Sequence, residues 1–391
     1  MFFELLKAGL WGDLKFKVES LKFKDFQSLD WGEVYRLAEE QSVLGLVTEG
    51  IEWFKDHNVN LDANLNFNVP EEWALQFVGQ ALQIEEGNKA MNAFVASLIE
   101  KMRAAGIYTL LVKGQGVAQC YEKPLWRSCG DVDLFLSNSN YEKAKSFLTP
   151  LASHIDEEGI SEKHLGMTIN GYIVELHGTL HGGLSSKVDR ELDEVKNDTF
   201  HKGNVRSWNN NGVQIFLLNA ENDVFYVFTH FLQHFYKEGL GLRQICDWCR
   251  LLYTYKDSLN YELLEQRIKR AGLMSEWQAF ATLAVEYLGM PVDAMPFLDV
   301  RGMKEDGRCD IDKRLRRKAE KIKDFVLKSG NMGHNRDMSH FSKRPYFVRK
   351  CISMGRRIGD LIHHARIFPL DSLRFFPTIM LNGVRSAMRG E

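Results

Sequence analysis

Two aspartates one residue apart, in the stretch GDVDLFL (130–136), are the residues of this 391-residue chain whose types and spacing point most directly to chemistry. The apolar run that follows them reads as a buried strand, and alternation along a strand puts both carboxylates on one face, about 6–7 Å apart. Hard divalent cations take oxygen ligands and keep positions open for phosphate oxygens, so such a pair suits Mg²⁺. An Asp pair at a strand start also serves as a turn cap, so its meaning depends on what surrounds it. Upstream, Lys113-Gly114-Gln115-Gly116 follows the β-branched and apolar run IYTLLV (107–112). A glycine turn that opens a helix offers backbone amides to an anion, and Lys113 adds a charge beside them.

The elements that must position these residues are legible from hydrophobic period. Residues 1–105 repeat apolar side chains three or four apart, as in VYRLAEEQSVLGLVTEGIEWF (34–54) and ALQIEEGNKAMNAFVASLIEKMRAAG (81–106), which predicts helices, the second ending at Gly106. Asn64 to Pro70 reads as a loop, and Pro70 followed by Glu71 and Glu72 suits a helix start. The period changes between 106 and 219. Strands are predicted at 107–112, 132–136, on both sides of Asn170-Gly171 within MTINGYIVELH (167–177), and at 213–218 after a polar WNNNG turn. These make a mixed sheet of four or five strands. From 220 to 391 the pattern is helical again, interrupted by GHNRDMSHFSKRP (333–345), polar enough to be a loop. The predicted class is α+β: an N-terminal helical region (1–105), a small mixed-sheet core (106–219) and a C-terminal helical domain with a basic tail (220–391).

Composition narrows the function classes. With 45% hydrophobic and 26% charged residues the chain is expected to be globular, and 391 residues predict two or three domains. No apolar run is long enough to span a bilayer, and Glu4 and Lys7 interrupt any signal-peptide core, so a cytoplasmic protein with reduced thiols is expected. Six irregularly spaced cysteines do not form the framework of a small secreted domain. Cys246-Asp-Trp-Cys249 has no second pair and sits in a helical pattern, which predicts a buried apolar face. The net charge of -2 conceals a split, since residues 301–391 hold 22 Lys and Arg against 10 Asp and Glu. A basic tail of this kind either contacts nucleic acid or another polyanion, or docks on an acidic body.

The order strand, glycine turn, short helix, D-h-D strand resembles the DNA polymerase beta-like nucleotidyltransferase superfamily. The form K-G-x-x-x-A…Y…P…R…G-D-h-D-L, carried here by Lys113, Gly114, Ala118, Tyr121, Pro124, Arg127, Gly130, Asp131, Asp133 and Leu134, is similar to its bacterial branch of uncharacterised nucleotidyltransferases. The resemblance implies a nucleotidyltransferase core binding Mg²⁺, with Mn²⁺ as the alternative, and a nucleoside triphosphate. It places the metal on Asp131, Asp133 and a third carboxylate, Glu175, which would also orient or deprotonate an attacking hydroxyl. Lys113, Gly114, Arg127, Gly130 and His177 fall where nucleotide and phosphates would bind. The superfamily's usual Gly-Ser pair is replaced here by Lys113-Gly114-Gln115-Gly116, which removes a serine hydroxyl and keeps the amides.

A second block continues the resemblance. HFLQHFYKEGLGLRQICDW (230–248) contains His230, His234, Arg243 and Asp247 in the order H-x-x-x-H…L-R-x-x-x-D. The two histidines lie one helical turn apart, as do Arg243 and Asp247, and the block is expected to form a wall of the cleft. His230 and His234 also have a zinc spacing, without an acid or cysteine nearby to complete a site; Arg243 and Asp247 also have the spacing of an intrahelical ion pair. The implied reaction transfers a nucleoside monophosphate from an NTP to a hydroxyl on a small molecule, a sugar or a protein. The alternatives are a binding protein of weakened catalysis that holds a polyanion, and a phosphotransferase.

Overall fold

Apolar runs and two Asn-Gly turns organise the sheet in this computed structural model, which describes residues 1–12, 29–56, 68–158, 163–237, 239–303, 309–333 and 346–389. Its strands are β1 (Thr109–Val112), β2 (Asp131–Leu136), β3 (His154–Ile155), β4 (His164–Ile169), β5 (Tyr172–His177), β6 (Val205–Asn210) and β7 (Val213–Leu218). They form one mixed sheet in the order β3-β4-β5-β2-β1-β7-β6, with β2 parallel to β5 and β1 parallel to β7. Asn170-Gly171 and Asn211-Gly212 close the β4–β5 and β6–β7 hairpins, and all four residues have positive φ, as a two-residue turn of the type I′ kind demands.

The sheet has seven strands where four or five are expected, and Val300–Met303 pairs with Cys309–Ile311 as a separate two-stranded sheet inside the region expected to be helical. The two extra strands, β3 and β6, are the sheet's edges; β3 has two exposed residues, and β6 (VRSWNN) buries only Asn210 fully, so neither carries an apolar run that sequence can register. Two helices within 106–219 also escape the sequence reading: α6 and α7 below. Each starts at a serine whose side chain accepts from a backbone N–H three residues on, Ser137 from Asn140 and Ser185 from Val188, and each buries one narrow stripe.

The helices are α1 (Phe2–Trp11), α2 (Trp31–Glu40), α3 (Leu44–Asp56), α4 (Glu71–Ala104), α5 (Gly114–Ala118), α6 (Asn138–Leu148), α7 (Ser186–Phe200), α8 (Ala220–Lys237), α9 (Leu242–Tyr255), α10 (Tyr261–Ala271), α11 (Met274–Leu288), α12 (Lys313–Ser329), α13 (Tyr346–Ala365) and α14 (Pro369–Arg389). The pattern at 34–54 is two helices, parted at Gln41–Val43, where Ser42 turns left-handed. Pro70 caps α4 with Glu71 and Glu72 in its first turn, as expected. The expected loops at 64–70 and 333–345 lie outside the described residues except for 68–70 and Gly333.

Two apolar cores enclose the sheet. The smaller one holds Val95 and Ile99 of α4 and Tyr141 of α6 against Val132, Leu134 and Leu176 of the strands. The larger runs from α1 and α3 through α8 to α11 and on to α12 and the start of α14, so the N-terminal and C-terminal helices share it. Cys246 and Cys249 are buried in it, and Phe375 of the tail packs on Tyr236 of α8. Among the described residues no helix is long and apolar enough to cross a membrane.

Helices α1 and α3 approach so closely that a Cβ at Gly9 would lie 1.8 Å from the carbonyl oxygen of Leu46, and one at Gly50 would lie 1.9 Å from that of Leu5. Gly→Ala inside a helix ordinarily stabilises by about 0.5–1 kcal/mol. Here the sign reverses. Gly50→Ala is expected to destabilise by about 1–3 kcal/mol, since backbone must move, and the denaturation midpoint measures it.

Candidate active site

Glu175 reaches the aspartate pair because β2 and β5 run parallel in a register that sets Asp133 beside Glu175. Asp131, Asp133 and Glu175 each bring a carboxylate oxygen within 4.8 Å of the other two. Asp133 is 1% exposed, at the centre of the sheet. Its Oδ1 accepts from Lys113 Nζ at 2.8 Å and from His177 Nε2 at 2.8 Å. Its Oδ2 is buried with no hydrogen-bond partner. A buried carboxylate oxygen left bare costs about 1–3 kcal/mol or more, and a cation bound there would satisfy it, so these residues fit a divalent metal.

Charge in the site is crowded. Asp131 is raised above the usual carboxylate range, first by the negative charge of Asp133 and then by burial. Burial pushes Glu175 the same way, but hydrogen bonds from His164 and His177 and the charge of Lys113 outweigh it and hold Glu175 well below that range. Burial likewise opposes protonation of His177, yet Asp133 and Glu175 beside it raise its pKa, and Asp133 keeps Lys113 firmly charged. Lys113 thus stands against three acids, with His177 bridging two of them. Low basicity makes Glu175 a ligand more than a proton acceptor.

Lys113 owes its position to backbone geometry. It has φ 57°, and Gly114, the first residue of the five-residue α5, has φ 42°, so the chain passes from β1 into α5 through two positive-φ residues that turn the Lys113 side chain over the carboxylates. A Cβ at Gly116 would stand 2.7 Å from a terminal methyl of Leu217, which would have to shift to admit it. Gly130, exposed and next to Asp131 in the chain, has open space around it and lines neither of the two cavities beside the carboxylates.

The α8 histidines do face the sheet. Lys113 donates to His230 Nε2 at 3.2 Å, and burial together with the charges of Lys113 and His234 keeps His230 well below its usual pKa, hence neutral. His230 and His234 pack edge to face and line a cleft of about 280 Å³ with Lys113, Asp131, Glu175 and His177.

Arg127, expected on phosphate, is committed elsewhere. Its Nε and Nη2 donate to both oxygens of Asp247 at 2.7 and 2.6 Å, and its Nη1 donates to the Ser128 carbonyl. Asp247 also accepts from the Tyr121 hydroxyl at 2.7 Å, and Arg243 donates to the Ser128 carbonyl at 2.8 Å, so the pair that looked intrahelical is replaced by contacts across the fold. Together these clamp the loop that delivers Asp131. Arg127, Arg243 and Asp247 still border a smaller cavity, of about 50 Å³, next to the carboxylates.

His164 is the site residue that sequence reasoning missed. It lies opposite His177 in the β4–β5 hairpin, and its Nε2 donates to Glu175 Oε2 at 3.1 Å.

Residues 27–289 match the model of a family described as uncharacterised nucleotidyltransferase, and the chain belongs to that family. The crystal structure of an antigenic nucleotidyltransferase-like protein from Paracoccidioides brasiliensis is similar over 46% of this chain and 85% of its own, at 14% identity and a TM-score of 0.29, too slight a likeness to carry an argument. No curated protein matches the chain.

Proposed function

We propose that the chain transfers a nucleoside monophosphate from an NTP to a hydroxyl acceptor on a DNA polymerase beta-like core. The observation that carries this is the convergence of Asp131, Asp133 and Glu175 around a buried carboxylate oxygen that has no protein donor. Asp131, Asp133 and Glu175 would hold Mg²⁺, or Mn²⁺ in its place, which when bound offsets charge on the triphosphate and on the attacking oxygen. Lys113, beside Asp133 and His230, is within the same cleft and supplies a positive charge to a phosphate oxygen. His177 ties Asp133 to Glu175 and keeps both carboxylates turned inward. Arg127 acts through Asp247 as a positioning residue, holding the loop before β2.

In the reaction the acceptor oxygen bonds to the α-phosphorus, the bond to the β-phosphate bridging oxygen breaks, and pyrophosphate leaves with that electron pair. The hydroxyl proton departs through the open cleft.

Water serves as a surrogate acceptor in the test. Prolonged incubation with each NTP and Mg²⁺, followed by phosphorus NMR, is expected to yield nucleoside monophosphate and pyrophosphate from one NTP. Nucleoside diphosphate with inorganic phosphate would mean attack at the γ-phosphorus and a phosphotransferase. Neither product pair, from a chain that binds Mg²⁺·NTP, would replace transfer with binding alone.

A further inference from the structure

We propose that His164, Glu175 and His177 form a second cation site, for a borderline transition ion such as Zn²⁺, next to the all-carboxylate site and sharing Glu175 with it. The β4–β5 hairpin builds it: His164 and His177 are cross-strand partners, and Glu175, two residues before His177 on β5, shares their face. One ring nitrogen of each histidine and a Glu175 oxygen lie within 4.8 Å of one another. His164 Nε2 is 3.1 Å and His177 Nε2 3.4 Å from Glu175 Oε2. Ligands about 2.0–2.1 Å from a tetrahedral zinc stand about 3.3 Å apart, so these two edges already have the right length. Two imidazoles and one carboxylate favour Zn²⁺ or Co²⁺, whereas Asp131, Asp133 and Glu175 offer oxygen only and favour Mg²⁺ or Mn²⁺.

The site has an entrance and room for a fourth ligand. His164 has a side-chain exposure of 41%, and all three residues border the 280 Å³ cleft, ample for a bound water of about 30 Å³. On binding, the metal takes the place of the ring protons that now link His164 to Glu175 and His177 to Asp133 and Glu175. Thr179, His181 and Gln233 line the same cleft, while Asp133, 2.8 Å from His177 Nε2, stands directly beside the site. The inference rests on the proposed reaction only through Glu175.

Co²⁺ is the probe, added to the full metal-free chain and followed by visible absorption. The expected result is an intense band of four-coordinate Co²⁺, displaced by one equivalent of Zn²⁺. His164→Ala should abolish the band and weaken Zn²⁺ by more than the roughly 10–100-fold that loss of an outer partner costs. His164→Gln, which can still donate to Glu175, guards against a folding defect and should behave like His164→Ala. Asp131→Asn should keep the band. A weak six-coordinate spectrum, or unchanged Zn²⁺ affinity in both His164 variants, would overturn the site. The two proposals fail separately: an intact band with no Mg²⁺-dependent nucleotide binding would sink the nucleotide reading alone, and the reverse pattern would sink only this site.

Discussion

Asp131→Asn is expected to abolish transfer, by at least about 10³-fold, while leaving the metal-free chain slightly harder to unfold. Asp131 is held above its ordinary pKa by the charge of Asp133, so in the absence of metal its ionised form strains the fold. For a carboxyl whose folded pKa is raised, the folded state binds the proton more tightly than the unfolded chain. Stability therefore falls as pH rises from the unfolded value through the folded one, and the full penalty is present at neutral pH. Asparagine keeps the shape and removes the charge. A gain of up to about 1 kcal/mol at pH 7 is expected, discounted for the solvent that reaches this half-buried group, and it should vanish near pH 3. Denaturant titration of both proteins in EDTA measures it. Loss of stability on neutralising Asp131 would mean that the carboxylate serves the fold, as a turn cap would.

The largest structural loss is expected from Asp247→Ala. Arg127 and Asp247 are 4% and 5% exposed and share two hydrogen bonds, so removing the acid leaves a guanidinium buried without its counterion and the Tyr121 hydroxyl without its acceptor. Breaking such a pair costs about 3–5 kcal/mol, whereas replacing both partners by apolar residues costs much less. Arg127→Met combined with Asp247→Leu should therefore recover much of the lost stability, measured by denaturation midpoint, but not the activity, since the loop into β2 loses its clamp. Burial raises the Asp247 pKa, but the charge and hydrogen bonds of Arg127 overcome this and depress it. Its contribution is present above the unfolded value of about 4 and is lost as pH falls through the folded one. A double variant no more stable than Asp247→Ala would show that the cost lies in packing and not in the orphaned charge.

The site was legible where it is local. Asp131 and Asp133 declare themselves through alternation in a short apolar strand, and Lys113 through the glycines behind it. Glu175 was reached by resemblance, because only the parallel pairing of β2 with β5, which sets Asp133 against a residue 42 positions later, makes it a neighbour. His164 was within reach: the two-residue Asn170-Gly171 turn fixes the hairpin register, and counting back from it sets residue 164 against 177. The predicted strand began at Met167 instead, since His164-Leu165-Gly166 lacks a β-branched or continuous apolar run. Arg127 is harder to read for the opposite reason. A conspicuous cation near an acidic pair suggests phosphate, and its partner, 120 residues away, has an arginine of its own one helical turn upstream. The acceptor lies beyond such reasoning because the helices around the cleft report packing in their periodicity.

The metal–nucleotide site itself is tested most directly by calorimetric titration of an NTP analogue whose α–β bridging oxygen is replaced by methylene, in Mg²⁺ or in EDTA. Wild type, Asp131→Asn and, as a surface control, Asp324→Asn are compared; Asp324 has a side-chain exposure of 65%. One site is expected in wild type and the control, present with Mg²⁺, absent with EDTA and absent from Asp131→Asn. Equal affinity in EDTA, or full binding by Asp131→Asn, would contradict the assignment of Asp131, Asp133 and Glu175 as the residues that hold metal and nucleotide.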